Sequence, residues 1–116
     1  MPGTAEIRPR LFLALWPDDA ARHCLAAWRD RWPWPAGASP TRTERLHMTL
    51  HFIASVDADR IGPLCAALPP QVPAFVLEFG RAELWRGGIA TVCPLQTPDA
   101  LRHVHAQLAD VLRAQA

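Results

Sequence analysis

The chain has 116 residues, 50% of them hydrophobic, with 12 basic and 11 acidic side chains and a net charge of +1. That length and balance fit one globular domain with a modest core and leave no room for a second domain of ordinary size. They also exclude the dense basic field of a strong non-specific nucleic-acid binder, while a small, locally charged phosphate site remains compatible with them. All 12 basic residues are arginine; coding bias accounts for this most simply, although arginine also suits bidentate phosphate contacts. Cys24, Cys65 and Cys93 are widely spaced with no Cys-x-x-Cys pair, so they are expected to be buried free thiols, not a disulfide framework or a structural zinc site.

The N-terminal stretch from Met1 to Arg8 is polar, and the apolar run from Leu11 to Trp16 is too short for a signal or membrane segment. A cytoplasmic location without a membrane partner is therefore the expectation. The run ends at Pro17, the pattern of a strand buried on both faces. Asp18 or Asp19 can then cap a helix over about 19 to 31, in which Ala21, Cys24, Leu25 and Trp28 recur at helical spacing until Pro33 and Pro35 stop it. The segment from Trp32 to Pro40 is a loop. Its two tryptophans can stack a nucleobase, although Trp beside Pro in a loop more often caps a core.

Next comes Arg45-Leu46-His47-Met48-Thr49-Leu50-His51-Phe52, read as a strand over about 46 to 53. Alternation along it would put His47, Thr49 and His51 on one face and Met48, Leu50 and Phe52 on the other, against the core. Asp57 or Asp59 starts a second helix reaching Leu68, with Pro63 disturbing its first turns. Pro69, Pro70 and Pro73 make a rigid connection to a third strand from Phe75 towards Trp85. Arg86-Gly87-Gly88 then turns the chain into a fourth strand from Ile89 to Leu95, forming a hairpin. Thr97-Pro98-Asp99 opens a last helix whose stripe is Leu101, Val104, Leu108, Val111 and Leu112, with His103 and His105 at or beyond its edge as surface residues. Strand, helix, strand, helix, strand, strand, helix has too few parallel crossovers for a doubly wound fold and indicates α+β.

The chemistry concentrates at His47 and Thr49. An imidazole accepts or donates a proton near neutrality, and a hydroxyl two residues along a strand can hold an anionic oxygen beside it. A single His-x-Thr is a weak signal, since half-buried strand histidines are common. Its context strengthens it: Arg10-Leu11-Phe12-Leu13-Ala14-Leu15-Trp16-Pro17 precedes it, with one helix between. In that order and spacing the chain resembles the two-histidine phosphoesterase superfamily, in its 2′-5′ RNA ligase / RNA 2′,3′-cyclic phosphodiesterase (LigT-like) branch.

The resemblance implies an antiparallel-sheet, bilobal fold in which each lobe contributes one His-x-Thr strand. It implies that His47 and Thr49 are catalytic, with His51, Arg45, Arg42 and Phe12 lining the substrate site. It further implies an RNA or nucleotide 2′,3′-cyclic phosphate as substrate, 2′-5′ ligation as the reverse chemistry, and no need for a metal, a nucleotide triphosphate or any other cofactor. In the family one histidine activates the attacking group and the other protonates the leaving ribose oxygen; the sequence leaves both roles open to His47, with the acid role preferred. Of the five histidines only His47 is followed by Thr or Ser at the second position. Residues 1–116 are accordingly expected to form a single domain that is C-terminally incomplete, ending before the second His-x-Thr strand. His51, roughly 13 Å from His47 along an extended backbone, is too far to replace that partner on one phosphate. The open sheet edge left behind is expected to favour a homodimer. A catalytically inactive phosphate- or RNA-end-binding remnant, or a half-site completed by another chain, is the alternative.

Overall fold

The computed structural model of the chain describes residues 8–115, so the polar N-terminal stretch up to Ile7 lies outside them. The elements run β1 (Arg10–Leu15), α1 (Asp19–Asp30), a 3-10 turn (Thr43–Arg45), β2 (Met48–Ser55), α2 (Ala58–Ala67), β3 (Phe79–Trp85), β4 (Ile89–Pro94) and α3 (Asp99–Ala114). β1 pairs with β2 and β3 with β4, both antiparallel, which is the α+β architecture expected from the sequence. The chain divides into two compact units, Met1–Asp57 and Ala58–Ala116.

In the first unit, β1 and β2 form a twisted ribbon whose register carries two irregularities. Leu13 faces His51 and Ala14 faces Thr49, so Leu50 is an extra residue with no partner of its own. Leu13 and Ala14 point to opposite sides of β1, and directly opposed partners share a side. His51 therefore stands on the face opposite Thr49, and the expectation that His47, Thr49 and His51 share one face is overturned by a bulge. The same bulge brings Phe52 opposite Phe12. Phe52, expected in the core, is 81% exposed. A second irregularity skips Ile53, and Ala54 beside it adopts a left-handed φ of 70°, a conformation that costs an L-residue about 1–2 kcal/mol. β1 is half-exposed instead of buried on both faces, because β2 is its only strand partner among the described residues.

Helix α1 starts where the carboxylate of Asp18 accepts the Ala21 N–H at 2.8 Å, satisfying a donor that the first turn leaves without a helical partner. Its covered face is rotated from the predicted stripe. Ala26 is buried and Arg22, Leu25, Trp28 and Arg29 are partly so, while Cys24 is exposed. Arginines lay their aliphatic stems on the inner face, which moves Cys24 outward. Cys65 on α2 is likewise exposed: Leu64, its neighbour, takes the inward position. All three cysteines are free thiols, but the expectation that they are buried is not met: these two are exposed and Cys93 is only partly covered.

In the second unit, α2 continues through Pro63 and buries Leu64. The third strand begins at Phe79, not Phe75. Its ladder ends where the Leu95 N–H donates to the Glu78 carbonyl at 2.7 Å; Pro94 has no N–H to offer, and beyond Leu95 the chain turns into α3. The hairpin turn needs its glycines, since Gly87 and Gly88 have φ of 90° and 82°, a region closed to most side chains. α3 buries Leu101, Val104 and Leu108 in the predicted stripe and leaves His103 and His105 exposed. The Arg60 guanidinium donates to the Gln115 carbonyl at the end of this helix. No helix among the described residues is long and apolar enough to cross a membrane.

Candidate active site

His47 lies one residue before β2 and two after the 3-10 turn. That turn is closed by the Arg45 N–H on the Arg42 carbonyl at 3.0 Å and the Leu46 N–H on the Thr43 carbonyl at 3.3 Å. It presents the Arg45 carbonyl to the imidazole: Nδ1 of His47 and this oxygen are 2.6 Å apart. A carbonyl only accepts, so Nδ1 carries the hydrogen and donates it. Nε2 is left as the nitrogen through which the ring can exchange a proton.

Two aromatic rings fix the plane of the imidazole. Phe12 stacks on it with centroids 5.0 Å apart at 30°, and Trp16 at 5.2 Å and 11°. The Arg22 guanidinium sits over Trp16, 5.5 Å from the ring centre, and donates to the Pro17 carbonyl at 3.2 Å. Phe52 adds a tilted contact to Phe12 at 6.4 Å. Thr49 belongs to this same face, since it opposes Ala14, which shares the side of Phe12. The ribbon thus gathers a ring nitrogen, a hydroxyl and exposed aromatic surface: Phe12 is 44% and Trp16 54% exposed.

Of the residues singled out in the sequence, His47, Thr49 and Phe12 are brought together and His51 is not. Arg42 and Arg45 line a separate shallow hollow of about 420 Å³ with Ser39, Pro40 and Thr41, joined to the site through the Arg45 carbonyl that holds His47. Trp16 and Arg22 were missed. Trp16 is readable in retrospect, because Phe12, Ala14 and Trp16 follow a period of two and share one side. His103 and His105 lie on α3, in the other unit. Among the described residues no group of three or more His, Cys, Asp or Glu is placed to hold a metal ion.

One imidazole nitrogen and one hydroxyl are thus held on the aromatic face of an antiparallel ribbon. The chain belongs to the LigT like phosphoesterase family, whose model matches residues 15–90 and so includes His47 and Thr49. Its fold is that of E. coli LigT. Against the crystal structure of that protein with 3′-AMP it has 26% sequence identity and a TM-score of 0.80, covering 96% of this chain and 67% of that one. Against the structure with NADP+ the values are 25%, 0.81, 95% and 66%. A further crystal structure, described as a phosphoesterase, gives 25% identity and a TM-score of 0.82 over 95% of this chain and 64% of the other. The chain thus spans about two thirds of the length of the structures it resembles. No match is found among curated proteins.

Proposed function

We propose that the chain is a single, metal-independent phosphodiesterase domain acting on RNA or nucleotide 2′,3′-cyclic phosphate ends and opening the ring to a 2′-phosphate. The observation that carries this reading is the 2.6 Å bond from Nδ1 of His47 to the Arg45 carbonyl. It commits one ring nitrogen to the backbone and reserves Nε2 for substrate, with the Thr49 hydroxyl on the same face for a non-bridging oxygen. In hydrolysis a water oxygen bonds to phosphorus, the bond from phosphorus to O3′ breaks, Nε2–H of His47 gives its proton to O3′, and a base takes the proton of the water. Phe12 and Trp16 hold the imidazole plane; Arg42 and Arg45 draw the phosphate in. E. coli LigT binding 3′-AMP and, in another crystal, phosphate supports a phosphate-bearing nucleotide as ligand.

One observation favours a second reading. In-line displacement needs acid and base on opposite sides of phosphorus, and the sequence holds one His-x-Thr. On this reading the chain is a phosphate- or RNA-end-binding form, or a half-site that a second chain completes. Two features of the strands support the latter: among the described residues β1 and β2 pair only with each other, as do β3 and β4, and Phe52, Leu84 and Trp85 are strongly exposed on them. Unpaired edges and apolar surface recruit another chain.

Incubation with a nucleoside 2′,3′-cyclic phosphate tests the primary reading. Because His47 supplies a proton and not a ligand field, turnover to the 2′-phosphate should be unchanged by EDTA and need no ATP. Activity abolished by EDTA and restored by zinc would move the chemistry to a metal.

A further inference from the structure

We propose that the Met1–Asp57 unit carries a binding track for single-stranded RNA that leads away from the catalytic face, in which bases stack on Trp32 and Trp28 and backbone phosphates lie on Arg31, Arg42 and Arg45. The proposal rests on the phosphodiesterase reading for its direction, since it takes the RNA terminus to be at His47.

The tryptophans beside the prolines keep part of their surface open to solvent. Trp32 and Trp34 remain 39% and 36% exposed, and Trp28, Arg31, Trp32 and Pro33 line an open hollow of about 440 Å³. The cluster is held together by ring contacts and one backbone bond. Trp28 meets Trp32 edge-to-face at 5.2 Å and 65°, Trp34 leans on Trp32 at 6.3 Å, and the indole N–H of Trp34 donates to the Arg29 carbonyl at 3.0 Å. An aromatic platform held by packing and a backbone bond, yet left facing solvent beside a guanidinium, has the features that stack a nucleobase: a π-face and a nearby cation.

Arg29 ties this hollow to the next. Its carbonyl accepts from Trp34, and its guanidinium reaches across to the Thr41 carbonyl at 2.7 Å. Thr41 belongs to the second hollow, with Ser39, Pro40, Arg42 and Arg45, and the Arg45 carbonyl holds His47. The chemistry is therefore ordered along one unit: proton-transfer imidazole and hydroxyl, then two arginines with hydroxyls, then an aromatic hollow with an arginine. A strand with a terminal phosphate, internal phosphates and exposed bases presents complementary groups in that order. Of the carboxylates on these segments, Asp30 is paired to Arg29 at 2.9 Å and Glu44 lies exposed in the 3-10 turn, so Arg31, Arg42 and Arg45 keep a cationic surplus. Bases must be unstacked from a partner strand to reach the platform, which selects a single strand; that the strand is RNA follows from the phosphodiesterase reading.

The test compares two probes on the full chain: a fluorescently labelled RNA of about eight nucleotides, a length within the single-strand site sizes of such platforms, ending in a 2′-phosphate, and a nucleoside 2′-monophosphate. The oligonucleotide is expected to bind more tightly than the mononucleotide. Trp32→Ala should weaken the oligonucleotide by roughly tenfold, the scale of one lost stacked base, leave the mononucleotide unchanged, and be largely rescued by Trp32→Phe. Circular dichroism confirms that each variant is folded. Equal affinity of wild type for both probes, or a Trp32→Ala loss shared by both, overturns the track, as does displacement of the oligonucleotide by a proline-rich peptide but not by unlabelled RNA. Tryptophan-dependent oligonucleotide binding with no mononucleotide binding at all would support the track and count against the phosphodiesterase reading of His47.

Discussion

His47→Ala is expected to lower cyclic phosphodiesterase turnover by roughly 10²- to 10⁴-fold, the contribution of one positioned proton-transfer group. The loss should fall on turnover and not on the fold. His47 is exposed and outside the ladder of β2, so removing its ring takes away stacking on Phe12 and Trp16 but opens no cavity in the core. Trp16→Ala should act on the same step through the imidazole it orients, with a smaller loss. A His47→Ala chain that keeps its far-ultraviolet spectrum and turns over at the wild-type rate would remove His47 from the mechanism.

The second large effect concerns the partner of His47. Appending a family-like segment that carries another His-x-Thr to the 116-residue chain is expected to raise turnover by about the 10²- to 10⁴-fold of one further proton-transfer group. The same segment should reduce self-association by pairing an open strand edge. The unextended chain, by light scattering over a wide concentration range, should form dimers. A monomer throughout that range would defeat the open-edge argument, and equal turnover with and without the segment would show the second histidine to be dispensable.

How the sequence encodes this arrangement differs from element to element. Helices α1 and α3 and the hairpin at Gly87 and Gly88 are legible because each rests on a local rule: a capping aspartate, a 3.6-residue stripe, glycines at positive φ. The extra residue at Leu50 is not local in that sense. Nothing in Thr49-Leu50-His51 marks a bulge, since the slip is decided by how β2 meets β1, and it moves His51 off the face of Thr49 and Phe52 onto it. The rotation of α1 was hidden for a related reason: Arg22 and Arg29 are partly covered because Trp16 and Thr41 offer them partners distant in sequence. The Nδ1–H bond that commits one imidazole nitrogen depends on a 3-10 turn that residue types alone do not specify. His-x-Thr singles out the two side chains; the backbone around them determines which ring nitrogen faces outward.

The most direct test of that assignment is an NMR titration of the wild-type chain with a nucleoside 2′-monophosphate, following the ring resonances of all five histidines. Saturable shifts are expected at His47, largest at Nε2, with Nδ1–H still hydrogen-bonded and His51, His103 and His105 unmoved. Shifts at any of those three with His47 silent would place the phosphate site elsewhere and contradict the account.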